Sequence, residues 1–192
     1  MFGSKTTDTV HEMTSNNRLQ ILIVDDTLVY RKIVSDIVSE LPDVEVVGTA
    51  HNGKVAISRI ASLKPDLLTL DIEMPEMNGL EVLEVMRQDF PDVGAIVLST
   101  LTQKGGEMTM RALELGAFDF IPKPQAGTMD ENRKAVQNTL TPMLRAFINR
   151  KEIRGILAGK LTTSAVPVSH KKKEISSNVA QRMGAIANLR KV

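Results

Sequence analysis

Residues 19–26 read Leu19-Gln20-Ile21-Leu22-Ile23-Val24-Asp25-Asp26. Apart from Gln20 the stretch is aliphatic as far as Val24, and two carboxylates follow at once. A short apolar run without polar alternation fits a strand covered on both faces, as in a parallel sheet. Working outward, the same pattern repeats. Leu28, Ile33, Ile37, Val38 and Leu41 fall near helical spacing until Pro42 stops them. Val44 to Ala50 reads as a second strand, and Asn52 can cap a helix carrying Val55, Ile57, Ile60, Ala61 and Leu63. Pro65 leads into a third strand ending at Leu70 and Asp71. The next helix starts near Asn78 and carries Leu80, Val82, Leu83, Val85 and Met86. Ala95 to Leu98 makes a fourth strand closing at Ser99 and Thr100. Gly105 and Gly106 read as a turn before a fourth helix with Met108, Met110, Ala112, Leu113 and Leu115, ending at Gly116. Phe118 to Ile121 is a short fifth strand before Pro122, Lys123 and Pro124. Thr128 and Glu131 fit a capping box for a fifth helix through Val136, Leu140, Met143, Leu144, Phe147 and Ile148. A kink, or a break into two helices, is expected at Pro142 because proline removes a hydrogen bond and crowds the preceding turn.

Five strand–helix repeats joined by right-handed crossovers predict an α/β fold: a doubly wound, five-stranded parallel sheet of order 2-1-3-4-5 with helices on both faces. The expected organisation is a disordered N-terminal extension over 1–18, a domain core over 19–127, the fifth helix and its extension over 128–155, and a basic linker and tail over 156–192, at best weakly helical. Of 192 residues 42% are hydrophobic and 24% charged, the balance of a soluble globular chain. No apolar run approaches the ~18 residues of a membrane-spanning helix. Residues 1–18 are polar and do not read as a secretory signal, so a cytoplasmic address is expected. The absence of cysteine excludes disulfides, zinc ribbons and thiol nucleophiles. An aromatic content of 3% argues against base-stacking platforms. The net charge of +1 conceals a split: residues 1–124 carry 11 Lys or Arg against 19 Asp or Glu, and residues 125–192 carry 13 against 4. That pattern suits an acidic body with a basic tail that touches it or another acidic partner, or else a solvated linker with lysines for solubility.

In doubly wound sheets, ligands sit beyond the carboxyl ends of the strands. Those ends carry Asp25 and Asp26, Asp71, Ser99 and Thr100, and Lys123. Singly, each has a plain structural role: helix caps for Asp25 and Asp26, a turn for Asp71, an exposed loop for Lys123. Independent caps, however, have no reason to share one mouth of one sheet. Three clustered carboxylates need a cation, and an oxygen-only set without His or Cys selects a hard ion such as Mg²⁺. A carboxylate beside Mg²⁺ can attack phosphorus and form an acyl phosphate, and Asp71, on the central strand, is the best-placed nucleophile. Mg²⁺ and the Lys123 ammonium would neutralise the phosphoryl oxygens.

The strings Ile21-Leu22-Ile23-Val24-Asp25-Asp26, Leu70-Asp71-Ile72-Glu73-Met74-Pro75-Glu76-Met77-Asn78-Gly79 and Ile121-Pro122-Lys123-Pro124 resemble the receiver domain of two-component response regulators, whose sheet is flavodoxin-like. The stretch from Ser99 to Gly106, with Arg111 to Pro124, resembles more narrowly the receiver of chemotaxis protein-glutamate methylesterases. The resemblance covers about residues 19–124. It implies that a sensor histidine kinase donates phosphoryl to Asp71, and that Asp26, Asp71 and the backbone carbonyl of Glu73 bind Mg²⁺, with Asp25 helping through water. It also implies that Ser99 is the switch hydroxyl, Phe120 the switch aromatic and Lys123 the phosphate lysine; as a switch Phe120 would rotate from an exposed to a buried position on phosphorylation, and otherwise it is plain core. The Lys123–Pro124 bond is implied to be cis, and the switched surface to be the face of the fourth helix, fifth strand and fifth helix.

Methylesterases of this kind carry a catalytic domain after the receiver, whereas the 192 residues hold no Gly-x-Ser-x-Gly elbow, and His11, His51 and His170 have no candidate serine around them. Methyl-ester hydrolysis is therefore not expected of this chain, only phosphorylation and dephosphorylation of itself. Either it is the regulatory piece of a longer methylesterase, or it is a stand-alone receiver whose basic tail binds a protein partner in trans. Nucleic-acid binding through Lys171 to Lys173 is a weaker reading, because the tail has no helix-turn-helix and no aromatic interleaving. An Asp/Mg²⁺ phosphohydrolase is a further alternative, since Glu73 stands two residues after Asp71 where such enzymes place a second acid.

Overall fold

A computed structural model describes residues 18–100 and 103–157. The expected N-terminal extension, the tail beyond residue 157, His11 and His170 lie outside the described residues. Inside them the chain alternates five times: β1 (Leu19–Val24), α1 (Leu28–Ser39), β2 (Val44–Ala50), α2 (Gly53–Leu63), β3 (Leu67–Asp71), α3 (Gly79–Asp89), β4 (Gly94–Thr100), α4 (Gln103–Glu114), β5 (Asp119–Lys123) and α5 (Met129–Leu157). The strands form one sheet of order β2-β1-β3-β4-β5, and every pairing is parallel. This is the expected doubly wound, flavodoxin-like fold.

Strand side chains alternate between the faces, and the two resulting cores are distinct. Leu22, Val24, Leu68, Leu70, Ala95, Val97 and Phe120 pack under α2, α3 and α4. Ile21, Ile23, Leu67, Ile96, Leu98 and Ile121 pack under α1 and α5. Because both faces are covered, the strands read as continuous apolar runs, which is why residues 19–24 show no alternation.

Local chemistry sets the helix starts. The Asn52 side chain accepts from the Val55 N–H at α2 (2.9 Å). At α3, Asn78 and Glu81 form a reciprocal capping box, and Thr128 and Glu131 form the expected one at α5, the Thr128 N–H donating to Glu131 Oε2 over 2.7 Å. Two expectations are corrected and one choice is decided. Gly105 and Gly106, read as a turn, lie inside α4, where the Gly105 carbonyl accepts the Thr109 hydroxyl (2.7 Å). Of the two outcomes expected at Pro142, the break is ruled out: α5 runs through it as one 29-residue element. Pro142 and Asn138, whose carbonyl loses its partner, both face solvent, so water can serve that carbonyl while buried Leu140, Met143 and Leu144 hold the turns around it. No peptide bond among the described residues is cis, Lys123–Pro124 included; it takes the trans form that X-Pro amides prefer.

Candidate functional site

The parallel register carries the carboxyl ends of β1, β3 and β5 to one edge of the sheet. Val24 pairs with Leu70, so Asp25 and Asp71 leave adjacent strands at the same level. Asp71 pairs with Leu98, placing Ser99 one step further along β4, opposite Pro122 of β5. Asp25, Asp71, Ser99 and Lys123 are buried, and Asp26 is exposed. Oxygens of Asp25, Asp26 and Asp71 all lie within 4.8 Å of one another. Lys123 reaches into the same cluster, its Nζ 2.7 Å from Asp25 Oδ2 and 2.7 Å from Asp71 Oδ2. The site thus joins the three acids and the amine that the strand ends singled out.

Burial pushes the Asp71 carboxyl up to about 6; Lys123 opposes the shift and Asp25 adds to it. The Lys123 amine is raised despite its own burial, because Asp71 and Asp25 both favour its charged form. A buried amine carrying its proton against two acids leaves the cluster with surplus negative charge, and Asp26 opens it to solvent. Oxygen donors, a net anionic centre and one solvent-facing carboxylate fit a hard divalent cation.

Other expected residues stand differently. The Ser99 hydroxyl donates to the Gly105 carbonyl (3.1 Å), toward α4. Phe120 is already buried, at 3% exposure, among the core residues under α4, so the exposed starting position expected for it is not the one observed. The Glu73 side chain accepts from the Thr100 hydroxyl (2.9 Å), while its N–H makes a long bond to Asp71 Oδ1 (3.3 Å).

Four contributors were not singled out from sequence. The Thr27 N–H and hydroxyl both donate to Asp25 Oδ1 (2.9 and 2.6 Å). Arg31 Nη1 donates to the carbonyls of Asp25 (2.7 Å) and Asp26 (3.0 Å). Tyr30 lies beside Lys123. A Cβ on Gly79 would stand 2.9 Å from Ile72 Cα and closer still to the Asp71 carbonyl oxygen, so glycine alone lets α3 start against the end of β3. A Thr directly after the acid pair was the one available signal, since such hydroxyls bond neighbouring backbone and carboxylates; the others depend on tertiary contacts. A groove of about 660 Å³, lined by Phe118, Phe147 and Arg150, lies at the opposite, amino edge of the strands.

Among the described residues no helix is long and apolar enough to cross a membrane. Residues 21–137 match the family model of the response regulator receiver domain. A protein-glutamate methylesterase/protein-glutamine glutaminase of Desulfotalea psychrophila is 51% identical over 163 residues, covering 83% of this chain and 44% of that protein; the chain therefore spans less than half the length of this relative. In structure, the response regulator domain of CheB from Thermotoga maritima superposes with a TM-score of 0.60 at 37% identity, covering 69% of this chain and 97% of that one. A CheX-CheY-BeF3-Mg²⁺ complex from Borrelia burgdorferi gives a TM-score of 0.50 at 27% identity, covering 64% of this chain and 89% of that one. A model match across residues 21–137 and a solved receiver matched almost end to end agree with the acid cluster and the strand order: the chain belongs to the response regulator receiver domain family.

Proposed function

We propose that this chain is the phosphoacceptor module of a chemotaxis-type two-component response regulator, acting in the cytoplasm. Asp71 is the acceptor. One of its carboxylate oxygens attacks the phosphorus of a phosphohistidine on a sensor kinase; the O–P bond forms as the N–P bond breaks, and the imidazole leaves with the electron pair and takes up a proton. The observation that carries this reading is the single ammonium held 2.7 Å from both Asp25 and Asp71, within a cluster of three carboxylates. Asp25, Asp26, Asp71 and the Glu73 carbonyl are the groups that would hold Mg²⁺, which supplies charge neutralisation at the phosphoryl oxygens. Lys123 gives the second positive charge. Ser99 is the switch hydroxyl, and to meet a phosphoryl oxygen it exchanges its bond to the Gly105 carbonyl, drawing on the first turn of α4. Phe120, packed under α4, then responds to the change at its neighbour, so the α4–β5–α5 face is the output surface.

The relative named above is a methylesterase/glutaminase longer than this chain, and the receiver here is accordingly read as the regulatory part of such a protein. The phosphohydrolase reading is weaker, because the Glu73 carboxylate is exposed and engaged by Thr100 instead of facing Asp71 as a second acid. The test is incubation with acetyl phosphate and Mg²⁺. One acid-stable, base-labile phosphate per chain is expected, absent in Asp71→Asn; a phosphate that survives that substitution, or sustained turnover of a phosphomonoester, defeats the proposal.

A further inference from the structure

Two neighbouring residues in the first turn of α1 serve opposite ends of the acid cluster. Arg31 reaches back to the carbonyls of Asp25 and Asp26. Tyr30 reaches across the sheet edge: its hydroxyl donates to the Pro124 carbonyl over 2.8 Å, 94 residues away in sequence, and the Lys123 ammonium lies 4.6 Å from the centroid of its ring. Tyr30 bears no ligand atom for a cation in the acid cluster and takes no part in bond making, yet it touches the amine and, separately, the residue that follows it.

A lysine ammonium has three N–H donors on a flexible four-carbon stem. Two of its directions are taken by Asp25 and Asp71, both at 2.7 Å, and carboxylates alone leave a long side chain free to slide along them. The ring face supplies a third partner of fixed position. Its negative quadrupole attracts the cation, more strongly where solvent is excluded, as around Lys123 at 5% exposure. The hydroxyl bond to Pro124 then ties the ring to the same short segment that carries the lysine, so ring and ammonium keep their register.

We infer that Tyr30 is the positioning residue for Lys123: ring face and hydroxyl together hold the ammonium over Asp71, where the oxygens of a phosphoryl group would need a cation. The inference rests on the phosphoacceptor reading above and adds to it the group that aims the lysine. When Asp71 carries phosphorus, the ammonium's partner on that side changes from a carboxylate oxygen to a phosphoryl oxygen further out, whereas the Tyr30 ring is unchanged by the reaction. Tyr30 therefore keeps the lysine in place through the step in which its partners change. An aliphatic side chain of similar size would fill the space without either contact.

The test compares the full chain as wild type, Tyr30→Phe and Tyr30→Leu; should the leucine variant fail to fold, Tyr30→Met takes its place. Without any phosphoryl mimic, NMR reads the ring-current shift of the Lys123 Cε protons and the carbon relaxation of that methylene. Shift and order are expected to be reduced with phenylalanine, which keeps the ring and loses its tie to Pro124, and to vanish with leucine. With saturating MgCl₂, fluorine NMR reads the affinity for beryllium fluoride, expected to fall roughly tenfold in the leucine variant and to stay within roughly threefold in the phenylalanine variant. The inference is overturned if the Lys123 signals are indifferent to leucine. It is equally overturned if the leucine variant loses those signals and still binds beryllium fluoride as tightly as wild type. A wild type that binds no beryllium fluoride defeats the phosphoacceptor reading instead, and the Lys123 signals then decide the positioning role alone.

Discussion

Asp71 is a carboxylate held where a carboxylate is poorly solvated, and its titration makes that cost measurable. With the carboxyl raised from 3.8 to about 6, the unfolded chain has released its proton at intermediate pH while the folded one still holds it. Stability of the metal-free protein therefore falls as pH rises through that window, and the penalty is full above it. Two units correspond to about 3 kcal/mol, but Asp71→Asn also removes one of the two carboxylate partners of Lys123. The expected result in urea unfolding with chelator present is a gain of about 2 kcal/mol near pH 7 and almost none near pH 4; a loss at neutral pH would contradict the account. The same proton competes with a cation for Asp71, so magnesium affinity measured by calorimetry should weaken as pH drops below about 6. Gly79 acts on Asp71 sterically. Gly79→Ala drives a methyl into the Asp71 carbonyl and Ile72 Cα, which are backbone and cannot swing aside. A destabilisation of about 3 kcal/mol is expected, with slower phosphorylation by acetyl phosphate because Asp71, the proposed acceptor, is displaced.

At the scale of elements, what was legible in the sequence is what local period and capping determine. The strands before Asp25 and Asp71 were readable because unbroken aliphatic runs have few other uses, and the helix starts at Asn52, Asn78 and Thr128 because their capping side chains lie within three residues of the N–H groups they serve. The acid cluster followed from topology, since parallel strands deliver their ends to one edge. Tyr30 and Gly79 were not legible: each matters through a partner brought close only by folding. That α5 stays one helix at Pro142, and does not break in two, was left open by the sequence for a related reason. Proline's local penalty is visible in sequence, while the docking that overrides it is not: Phe147 packs edge-on against Phe118 with centroids 5.2 Å apart and lies so near Gly94 that a Cβ there would stand 2.7 Å from its Cζ and closer still to its Cε2, and Lys151 pairs with Asp66 at 2.5 Å. Since Pro142 is exposed and its turn is held from both sides, Pro142→Ala should restore the helical hydrogen bond at little packing cost and stabilise the protein by about 1–2 kcal/mol in chemical denaturation. No gain would mean that the helix had already relaxed around the proline.

For the molecule as a whole, the two ends of the sheet axis differ: the acid cluster lies at the carboxyl edge, and the end of the long fifth helix is anchored at the amino edge. The sheet, both cores and every residue of the acid cluster fall within 19–157, so a chain shortened to end at residue 157 should bind magnesium and accept phosphoryl from acetyl phosphate within about twofold of the full chain at ~0.15 M salt, the scatter expected when no residue of the site is removed. Charge makes the low-salt result different. Residues 1–124 carry the acidic excess, the removed residues 158–192 hold 7 Lys or Arg against 1 Asp or Glu, and lowering ionic strength to ~0.01 M lengthens the screening distance from ~8 to ~30 Å. Removing the basic tail then strips positive potential from the neighbourhood of an anionic site, so magnesium affinity should rise on truncation at low salt only. An equal change at both salt concentrations would assign the tail direct contact with the site, and a fall in affinity at low salt would mean that its lysines do not oppose the cation at all.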